Sequence, residues 1–278
     1  MQKAVLVTGA STGIGYATVA MLAGHGYRVF AGVRKTEDAL RLEERHAHVR
    51  AVTLDVRSAE DIARAVEAID ASGFSLAAVV NNAGIAVAGP LEYLPLDEFR
   101  KQFDVNVFGA LAVTQAVLPL LRSANGRVIF MSSVSGQIAA PYVGPYASSK
   151  FAIEALADSL RMELRPFGIR VIVVEPGNVN TPIWSKGRAE RDRLMALLPD
   201  EAHEHYGKAI DTLVRVTERE ERSGIDPAVV ARTVLDAIVA KSPRARYPVG
   251  APAGWQRRIA ALLPESHRDK LILKNFQR

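Results

Sequence analysis

One stretch decides the fold of this chain: Ala4-Val5-Leu6-Val7-Thr8-Gly9-Ala10-Ser11-Thr12-Gly13-Ile14-Gly15. Its first four residues form an apolar run that is typical of a buried strand, and a glycine-rich turn follows at once. The next residues, Ile14–Ala23, have the periodicity of a helix. A glycine turn between a strand and a helix brings backbone N–H groups to a helix N-terminus, where they can bind a phosphate. The stretch therefore predicts a dinucleotide site, with a plain turn as the alternative reading.

Short apolar runs alternate with helical patterns beyond this stretch. The predicted strands are Ala4–Val7, Arg28–Val33, Val49–Leu54, Leu76–Val80, Arg127–Met131 and Ile169–Val174. The predicted helices are Ile14–Ala23, Thr36–Arg45, Ala59–Ala71, Leu96–Leu121 and Pro145–Arg165. Apolar strands separated by helices indicate a parallel sheet that is buried on both faces. We therefore predict an α/β protein with a doubly wound parallel sheet, the Rossmann fold, and helices on both faces.

The pattern changes after Pro176-Gly177. Residues 178–224 are charged and helical, and we interpret them as a helical excursion that covers the substrate. Asp226–Val239 is a predicted helix, Arg246–Val249 a candidate last strand, and Gly254–Leu263 and Pro264–Lys274 are short terminal helices. With no low-complexity linker and no repeat, we expect one domain over 1–278, with the lid at about 178–224 and a C-terminal helical extension at about 251–278.

Composition excludes several kinds of chemistry. The chain has 278 residues, 49% of them hydrophobic and 23% charged, as in an ordinary globular protein. It contains no cysteine, which excludes disulfides, thiolate catalysis and cysteine-based metal sites. The two His-x-His pairs, His46/His48 and His203/His205, have no evident third ligand, so we expect no metal site.

Charge and hydropathy bear on partners and location. The apolar run at the N-terminus is too short for a signal peptide, and no uninterrupted apolar stretch is long enough to span a bilayer. We expect a cytoplasmic protein without an integral membrane segment. From Lys241 onward, nine Lys and Arg residues face only Glu265 and Asp269. These charges are scattered, which favours a solvated helix surface over a nucleic-acid or membrane contact.

Tyr146 and Lys150 lie four positions apart at the start of a predicted helix, so they share one face of it. An ammonium beside a phenol favours the phenolate and lowers the tyrosine pKa, which would make Tyr146 an acid/base near neutral pH. Taken alone, the pair is better explained as a chance surface pair. The rest of the chain decides between the two.

The residues around these two sites resemble the classical short-chain dehydrogenase/reductase family. Six segments match its motifs in order over about residues 3 to 185: Thr8–Gly15 (TGxxxGxG), Asn81–Gly84 (NNAG), Asn106, Ser133, Tyr146 with Lys150 (YxxxK), and Pro176–Thr181 (PGxxxT). The tail Arg246–Gly250 bears a softer resemblance to the hydroxysteroid and retinol dehydrogenase branch.

The resemblance implies a role for each matching residue. Tyr146 is the acid/base, Lys150 supports it and binds the nicotinamide ribose, Ser133 orients the carbonyl, and Asn106 organises a water relay. Ser132 and Ser135 compete with Ser133 for the donor role, and a satisfied helix asparagine is the alternative for Asn106. The implied cofactor-binding residues are Gly9, Ser11, Thr12, Gly13, Ile14, Gly15, Arg34, Asp55, Val56, Asn82, Ala83, Gly84, Tyr146, Lys150, Pro176, Gly177, Val179 and Thr181.

The end of the second strand bears on the choice of cofactor. Val33 stands where the NAD-preferring members of the family carry an aspartate, and Arg34 follows it. A guanidinium can pair bidentately with a 2′-phosphate, so NADP(H) is the preferred cofactor and NAD(H) is possible. The alternative is that Arg34 is an ordinary exposed arginine.

Several mainly apolar residues follow the predicted active-site loops, as expected for a small-molecule pocket. They are Gln137, Ile138, Tyr142, Ile183 and Trp184, with Ala86 and Val87 after the NNAG turn. Ile183 and Trp184 could instead pack the excursion onto the body of the protein. An apolar pocket indicates a lipophilic alcohol, ketone or aldehyde.

Three functions fit these residues. The first is an NADP-dependent oxidoreductase that transfers a hydride between the cofactor and an alcohol or carbonyl compound. The second is a non-catalytic dinucleotide sensor, against which the complete Ser133, Tyr146 and Lys150 set argues. The third is an epimerase or dehydratase, for which the chain is short. The resemblance also implies a homodimer or homotetramer, through helices from Phe103 to Leu121 and from Ala147 to Arg165.

Overall fold

The structure is a computed structural model that describes residues 2–183, 192–193, 195–196, 198–250 and 263–276. It contains one sheet of seven parallel strands in the order β3-β2-β1-β4-β5-β6-β7. The strands are β1 Lys3–Thr8, β2 Arg28–Val33, β3 Val49–Thr53, β4 Ser75–Asn81, β5 Arg127–Met131, β6 Arg170–Pro176 and β7 Arg246–Val249. The predicted doubly wound parallel sheet is confirmed, and the candidate strand Arg246–Val249 is its last member.

Helices cover both faces of the sheet. They are α1 Gly13–Gly24, α2 Thr36–Arg45, α3 Ala59–Asp70, α4 Leu96–Phe103, α5 Ala110–Ala124, α6 Gly144–Glu163, α7 Asp200–Ser223, α8 Pro227–Val239 and α9 Glu265–Phe276. One core lies between the sheet and α1, α2 and α8, and the other between the sheet and α3, α5 and α6.

The alternation of side chains along the strands supplies both cores. In β1, Val5 and Val7 belong to the core under α1, whereas Ala4 and Leu6 belong to the core on the opposite face. All four are fully buried or nearly so. Because successive side chains of a strand point to opposite faces, a strand that feeds two cores must be apolar at every position. This requirement explains the continuous apolar run in the sequence.

The strand order reverses between β1 and β4. The chain first builds β1, β2 and β3 toward one edge, then returns and builds β4 to β7 toward the other. The helices that follow β1 and β4 therefore diverge and leave a crevice at the carboxyl ends of these strands. Ligands bind at this position in doubly wound sheets.

The predicted helix Leu96–Leu121 is not continuous. It consists of α4, a π-helical turn over Asp104–Gly109, and α5. At Gly109, a Cβ atom would lie 2.6 Å from Cγ2 of Val56, so only glycine lets this turn approach β3 so closely. The apolar pattern runs through the turn without interruption, which is why the sequence showed one helix. Such π turns occur frequently at functional sites.

The segment Leu96–Ala124 is long and apolar enough to cross a membrane by length and composition. Sequence inspection did not single it out, because charged residues in α4 interrupt the apolar run. In the fold, Val113, Val117 and Leu121 of this segment are buried in the core beside α3 and β4. One face of α5 in this segment therefore belongs to the core.

The described part of the excursion after β6 begins with irregular chain and continues into a long helix. It contains α7, and a single parallel bridge joins Val179 to Ile225 at its two ends. Trp184 and residues 254–262 of the predicted helix Gly254–Leu263 lie outside the described residues. The other predicted terminal helix is α9.

Candidate active site

The glycine turn after β1 has the shape needed for close approach of a ligand. Gly9 and Gly13 have positive φ angles of 65° and 57°, a region that side chains disfavour. At Gly15, a Cβ atom would lie 2.2 Å from the carbonyl oxygen of Gly9. The turn therefore folds back on itself in a way that only glycine permits.

The N-terminus of α1 is available to an anion. No side chain caps the first turn of this helix, and it carries no acidic residue there. The first N–H groups of a helix have no partner within the helix, and its dipole favours a negative charge at this end. Ser11, Thr12 and Ile14 are half-buried around it. The cradle fits the pyrophosphate of a dinucleotide.

Side chains and backbone from β4 hold the glycine turn in place. The amide of Asn82 donates to the carbonyl oxygens of Thr8 and Gly9 at 3.0 and 3.1 Å. The Thr8 hydroxyl accepts hydrogen bonds from the backbone N–H groups of Asn82 and Ala83. These four bonds join the ends of β1 and β4 at the point where the strand order reverses.

Tyr146 and Lys150 lie on α6 and are both buried. A side-chain hydrogen bond joins the Tyr146 phenol to Ser133, which follows β5. The Ser133 hydroxyl also accepts from the backbone N–H of Ser135 at 3.1 Å, whereas the buried Ser132 hydroxyl has no partner among the described residues. The geometry thus brings Ser133, rather than Ser132, to the phenol.

The acid/base pair differs from the sequence expectation in its electrostatics. Burial raises the pKa of Tyr146, and the hydrogen bond with Ser133 offsets only part of this effect. The Lys150 ammonium lies 5.5 Å from the centroid of the phenol ring and donates to the carbonyl of Met131 at 2.8 Å. Tyr146 is therefore protonated at neutral pH and ready to donate a proton.

Asn106 sits in the π turn and links three parts of the site. Its amide oxygen accepts from the N–H of Ile85 at 2.9 Å, and its nitrogen donates to the Ile85 carbonyl and to the Ser149 hydroxyl. Ser149 donates in turn to the Tyr146 carbonyl at 2.7 Å. Asn106 thus holds the segment after the NNAG turn against the helix that carries Tyr146 and Lys150. Gly84 passes close beside it.

The segment after β6 completes the crevice. Gly177 donates its N–H to Val249 of β7 at 2.9 Å, which directs the chain from Pro176 back over the sheet. Thr181 is buried against the glycine turn, since a Cβ on Gly13 would lie 3.2 Å from the Thr181 Cβ. Val179 is buried in the core under α1.

At the other end of the crevice, Arg34 is exposed directly after β2. Its charge lies close enough to Asp55 to contribute to the low pKa of that carboxyl, which is about 2 and is caused first by the hydrogen bonds from Arg57. Arg57 holds both oxygens of Asp55, at 3.0 and 2.6 Å. Val56 is buried.

Four of the residues predicted to line the substrate pocket are half-buried. They are Gln137, Ile138, Tyr142 and Ile183, and the Gln137 amide donates to Glu175 at 3.4 Å. Tyr142 has a φ of 66°, which is strained for a residue with a bulky side chain. The Tyr142 carbonyl accepts from the N–H of Gly89 at 2.7 Å, which joins the two loops of the pocket.

Comparison with known proteins identifies the family. The family model described as short chain dehydrogenase matches residues 3–192. The chain belongs to the short-chain dehydrogenase/reductase family. This confirms the resemblance inferred from the six motifs, and with it an oxidoreductase that uses a nicotinamide cofactor.

Three similar proteins match this chain over nearly all of its length. The NADPH-dependent 3-dehydrocapnine reductase of Ornithobacterium rhinotracheale is 34% identical over 98% of this chain and 97% of its own. Short-chain dehydrogenase/reductase family 9C member 7 of Bos taurus is 36% identical over 99% and 90%. A short-chain dehydrogenase of Burkholderia cenocepacia in complex with NADP has a TM-score of 0.75 at 26% identity, covering 98% and 99% of the two chains.

Behind the Tyr146–Lys150 pair of this short-chain dehydrogenase/reductase lies a partly buried charge cluster that the sequence did not predict. Arg246 of β7 reaches Glu154 at 3.0 Å, Asp158 at 2.8 Å and Glu175 at 3.5 Å. Glu154 and Glu175 are buried. The spacing of Glu154, one helical turn after Lys150, was the available signal. The role of Arg246 depends on the pairing of β7 with β6, which the sequence does not show.

Glu154 acts on the charge of Lys150. Burial lowers the pKa of Lys150 to about 8, and the Glu154 carboxylate opposes this effect. The other described titratable groups near Lys150 are Tyr146 on the same helix and, on the far side of Glu154, Arg246 of β7 and Glu175 of β6. Loss of the Glu154 charge should therefore lower the Lys150 pKa further.

We expect Glu154→Gln to shift the alkaline limb of the kcat/KM profile to lower pH. The protonated ammonium is lost as the pH rises through the Lys150 pKa, and a lower pKa brings that loss closer to neutral pH. Asp158→Asn is the matched control, because it removes a carboxylate from the same cluster that does not act on Lys150. An unshifted limb in Glu154→Gln, or equal shifts in both variants, would contradict this role.

Proposed function

We propose that this protein transfers a hydride between NADP(H) and a lipophilic alcohol, ketone or aldehyde. The observation that carries the proposal is the buried Tyr146 phenol, hydrogen-bonded to Ser133 and set beside Lys150, at the crevice that adjoins the glycine turn. The cofactor supplies the hydride. Tyr146 gives a proton to the carbonyl oxygen in reduction and accepts it in oxidation.

The surrounding residues position these two reactants. Ser133 donates a hydrogen bond to the substrate oxygen, and Lys150 binds the nicotinamide ribose. Asn106 fixes Ile85 and Ser149, and so sets the position of α6 at the site. Thr181 and the Val179 backbone hold the nicotinamide carboxamide, while the turn residues Gly9 to Gly15 bind the pyrophosphate.

NADP(H) is the cofactor in this proposal, with NAD(H) as the alternative. Arg34 is exposed at the end of β2 and forms no ion pair among the described residues, so its guanidinium can receive a 2′-phosphate. Arg41 of α2 places a second guanidinium on this side of the glycine turn, since it donates to the Ser11 carbonyl at 2.9 Å. The NADPH-dependent relative and the NADP-bound structure support the choice.

Arg34→Ala is expected to weaken NADPH binding by about tenfold or more while NADH binding stays the same, because a charge-assisted hydrogen bond contributes about 1.5–3 kcal/mol. Titration of both cofactors by fluorescence measures the two dissociation constants. Lys35→Ala, which removes the next exposed cation, is the control. Tighter binding of NADH than of NADPH by the unmodified protein would refute the cofactor assignment.

The assignment of a lipophilic substrate depends on the residues that form the pocket walls. The half-buried Ile138 and Ile183 and the buried Val87 would form apolar walls of this pocket. The helical excursion at 178–224 acts as a lid on this pocket. Its helix α7 contacts the Tyr142 ring edge-on through Tyr206, at 6.2 Å between centroids, and Tyr206 also hydrogen-bonds Glu92. Steroid-, retinol- and other long carbonyl compounds fit this class.

A panel of ketones and aldehydes of increasing apolar length, assayed for NADPH oxidation by absorbance, tests the function. We expect kcat/KM to rise with apolar length, since each buried CH₂ contributes about 0.8 kcal/mol. Preference for short, hydroxylated substrates would overturn the lipophilic assignment. Tight NADPH binding with no turnover on any member of the panel would favour the non-catalytic sensor instead.

The proposal also includes an oligomeric state and a cellular compartment. Phe108 beside α5 and Phe151 on α6 are 59% and 44% exposed, an unusual exposure for phenylalanine on neighbouring helices. They support a homodimer or homotetramer formed through these helices. The cytoplasm remains the proposed compartment, and one domain over 1–278 the proposed organisation.

A further inference from the structure

A cavity of about 350 Å³ lies at the opposite edge of the sheet from the candidate active site. It is formed where α6 ends and where β6 and β7 begin. Its walls include three arginines, Arg161, Arg165 and Arg170, and apolar side chains such as Met162 and Ile172. Since β6 has seven residues, the length of this strand separates the cavity from the crevice by about 20 Å.

The positive charge of this arginine cavity is not balanced. The side chains of Arg165 and Arg170 are exposed and form no ion pair or hydrogen bond within the part of the chain that the structure describes. Arg161 donates to Asp158 at 3.2 Å, but Asp158 is shared with Arg246 at 2.8 Å. Three arginines therefore line the cavity, and their ion pairs among the described residues amount to part of one carboxylate.

The neighbouring strand adds to the positive field. Arg127 is the register partner of Arg170 across β5 and β6, and its guanidinium donates to the carbonyls of Ala237 and Ala240. The guanidinium of Arg127 is therefore occupied by backbone oxygens, and any ligand in the cavity is bound by the other arginines. The field that it contributes favours negative charge at the mouth of the cavity.

We propose that the arginine cavity binds an organic oxyanion, a phosphate, sulfonate or carboxylate group on a short apolar stem. The planar guanidiniums of Arg161, Arg165 and Arg170 suit the head group, because their N–H groups match oxyanion geometry. Met162 and Ile172 contact the stem. The volume falls within the range of small-molecule sites. The ligand is a soluble amphiphile, and the site is separate from the cofactor and substrate crevice.

Isothermal titration with hexyl phosphate tests the proposal. The protein is saturated with NADPH, so that the phosphate sites of the cofactor crevice are filled. We expect hexyl phosphate to bind the unmodified protein, and hexanol, which lacks the charge, to bind at least about tenfold more weakly. Inorganic phosphate, which lacks the stem, should also bind more weakly.

Arg165→Gln combined with Arg170→Gln is expected to weaken hexyl phosphate binding at least about tenfold. Arg50→Gln combined with Arg219→Gln is the matched control, because it removes the same formal charge at exposed arginines outside the cavity. Unchanged NADPH affinity in both double variants shows that they are folded.

Three results would overturn the proposal: no binding to the unmodified protein, equal weakening in both double variants, or equal binding of hexanol. A fourth concerns the source of the oxyanion. If anionic phospholipid vesicles bind through Arg165 and Arg170 while hexyl phosphate does not, the assignment to a soluble ligand is wrong.

Discussion

Tyr146→Phe is expected to lower kcat/KM for carbonyl reduction by about a hundredfold to ten-thousandfold, the usual contribution of a positioned general acid. The buried phenol is protonated at neutral pH, because burial raises its pKa. Phenylalanine keeps the ring and its packing but has no proton to give to the developing alkoxide. The measurement is steady-state NADPH oxidation with the best ketone of the panel. NADPH affinity should stay within about twofold of the unmodified protein, because the phosphate cradle does not involve the hydroxyl.

Tyr247→Phe is the matched control for this variant. The two tyrosines are equally buried, each 8% exposed, and Tyr247 accepts a hydrogen bond from the backbone N–H of Arg244 at 3.2 Å. The substitution in Tyr247 therefore has a similar structural cost without touching the crevice. Retained turnover in Tyr146→Phe, or an equal loss in both variants, would contradict the assignment of Tyr146 as the general acid.

Gly15→Ala should weaken NADPH binding by about tenfold or more, since each lost hydrogen bond to a charged group costs about 1.5–3 kcal/mol. The added Cβ would lie 2.2 Å from the Gly9 carbonyl oxygen and 2.5 Å from the amide nitrogen of Asn82. Both atoms hold the turn, so the turn must move away from the helix N-terminus. The free energy of unfolding should also fall, by about 1–3 kcal/mol, the usual cost of overpacking.

Gly24→Ala provides a control in the same helix. A Cβ on Gly24 meets no atom within 4 Å, and alanine favours the helix by up to about 1 kcal/mol over glycine. NADPH affinity should be unchanged in this variant, and its melting temperature equal or higher. Similar cofactor affinity in Gly15→Ala and in the unmodified protein would show that the cradle is not where the phosphates bind.

Much of this fold follows from local sequence. The β2 and α2 boundaries, Arg28–Val33 and Thr36–Arg45, agree with the prediction residue by residue, because both elements have a clear periodicity and end at turn signals. The π turn around Asn106 was not predicted, since its apolar spacing matches that of a continuous helix. It arises from a tertiary contact, the approach of Gly109 to Val56.

The candidate site likewise has a part that the sequence predicts and a part that it does not. Its glycines, Ser133, Tyr146 and Lys150 belong to short motifs with fixed spacing, so the sequence predicts them together. The charge cluster of Glu154, Glu175 and Arg246 escaped prediction, because its members come from α6, β6 and β7 and meet only when the strands pair. The electrostatics of Tyr146 were also misjudged. The spacing shows that Lys150 is near, but not that the phenol is desolvated and that the ammonium turns to the Met131 carbonyl.

The transfer of deuterium from NADPH labelled at C4 of the nicotinamide tests the central claim most directly. The labelled cofactor, in each of its two C4-deuterated forms, is incubated with the protein and the best ketone of the panel, and the alcohol is analysed by mass spectrometry. We expect one form to place a single deuterium on the carbinol carbon of nearly every product molecule, with one NADPH consumed per alcohol, and the Tyr146→Phe variant to form almost none. Alcohol formed without deuterium from either form, or no alcohol from any carbonyl compound despite tight NADPH binding, would contradict hydride transfer at this site.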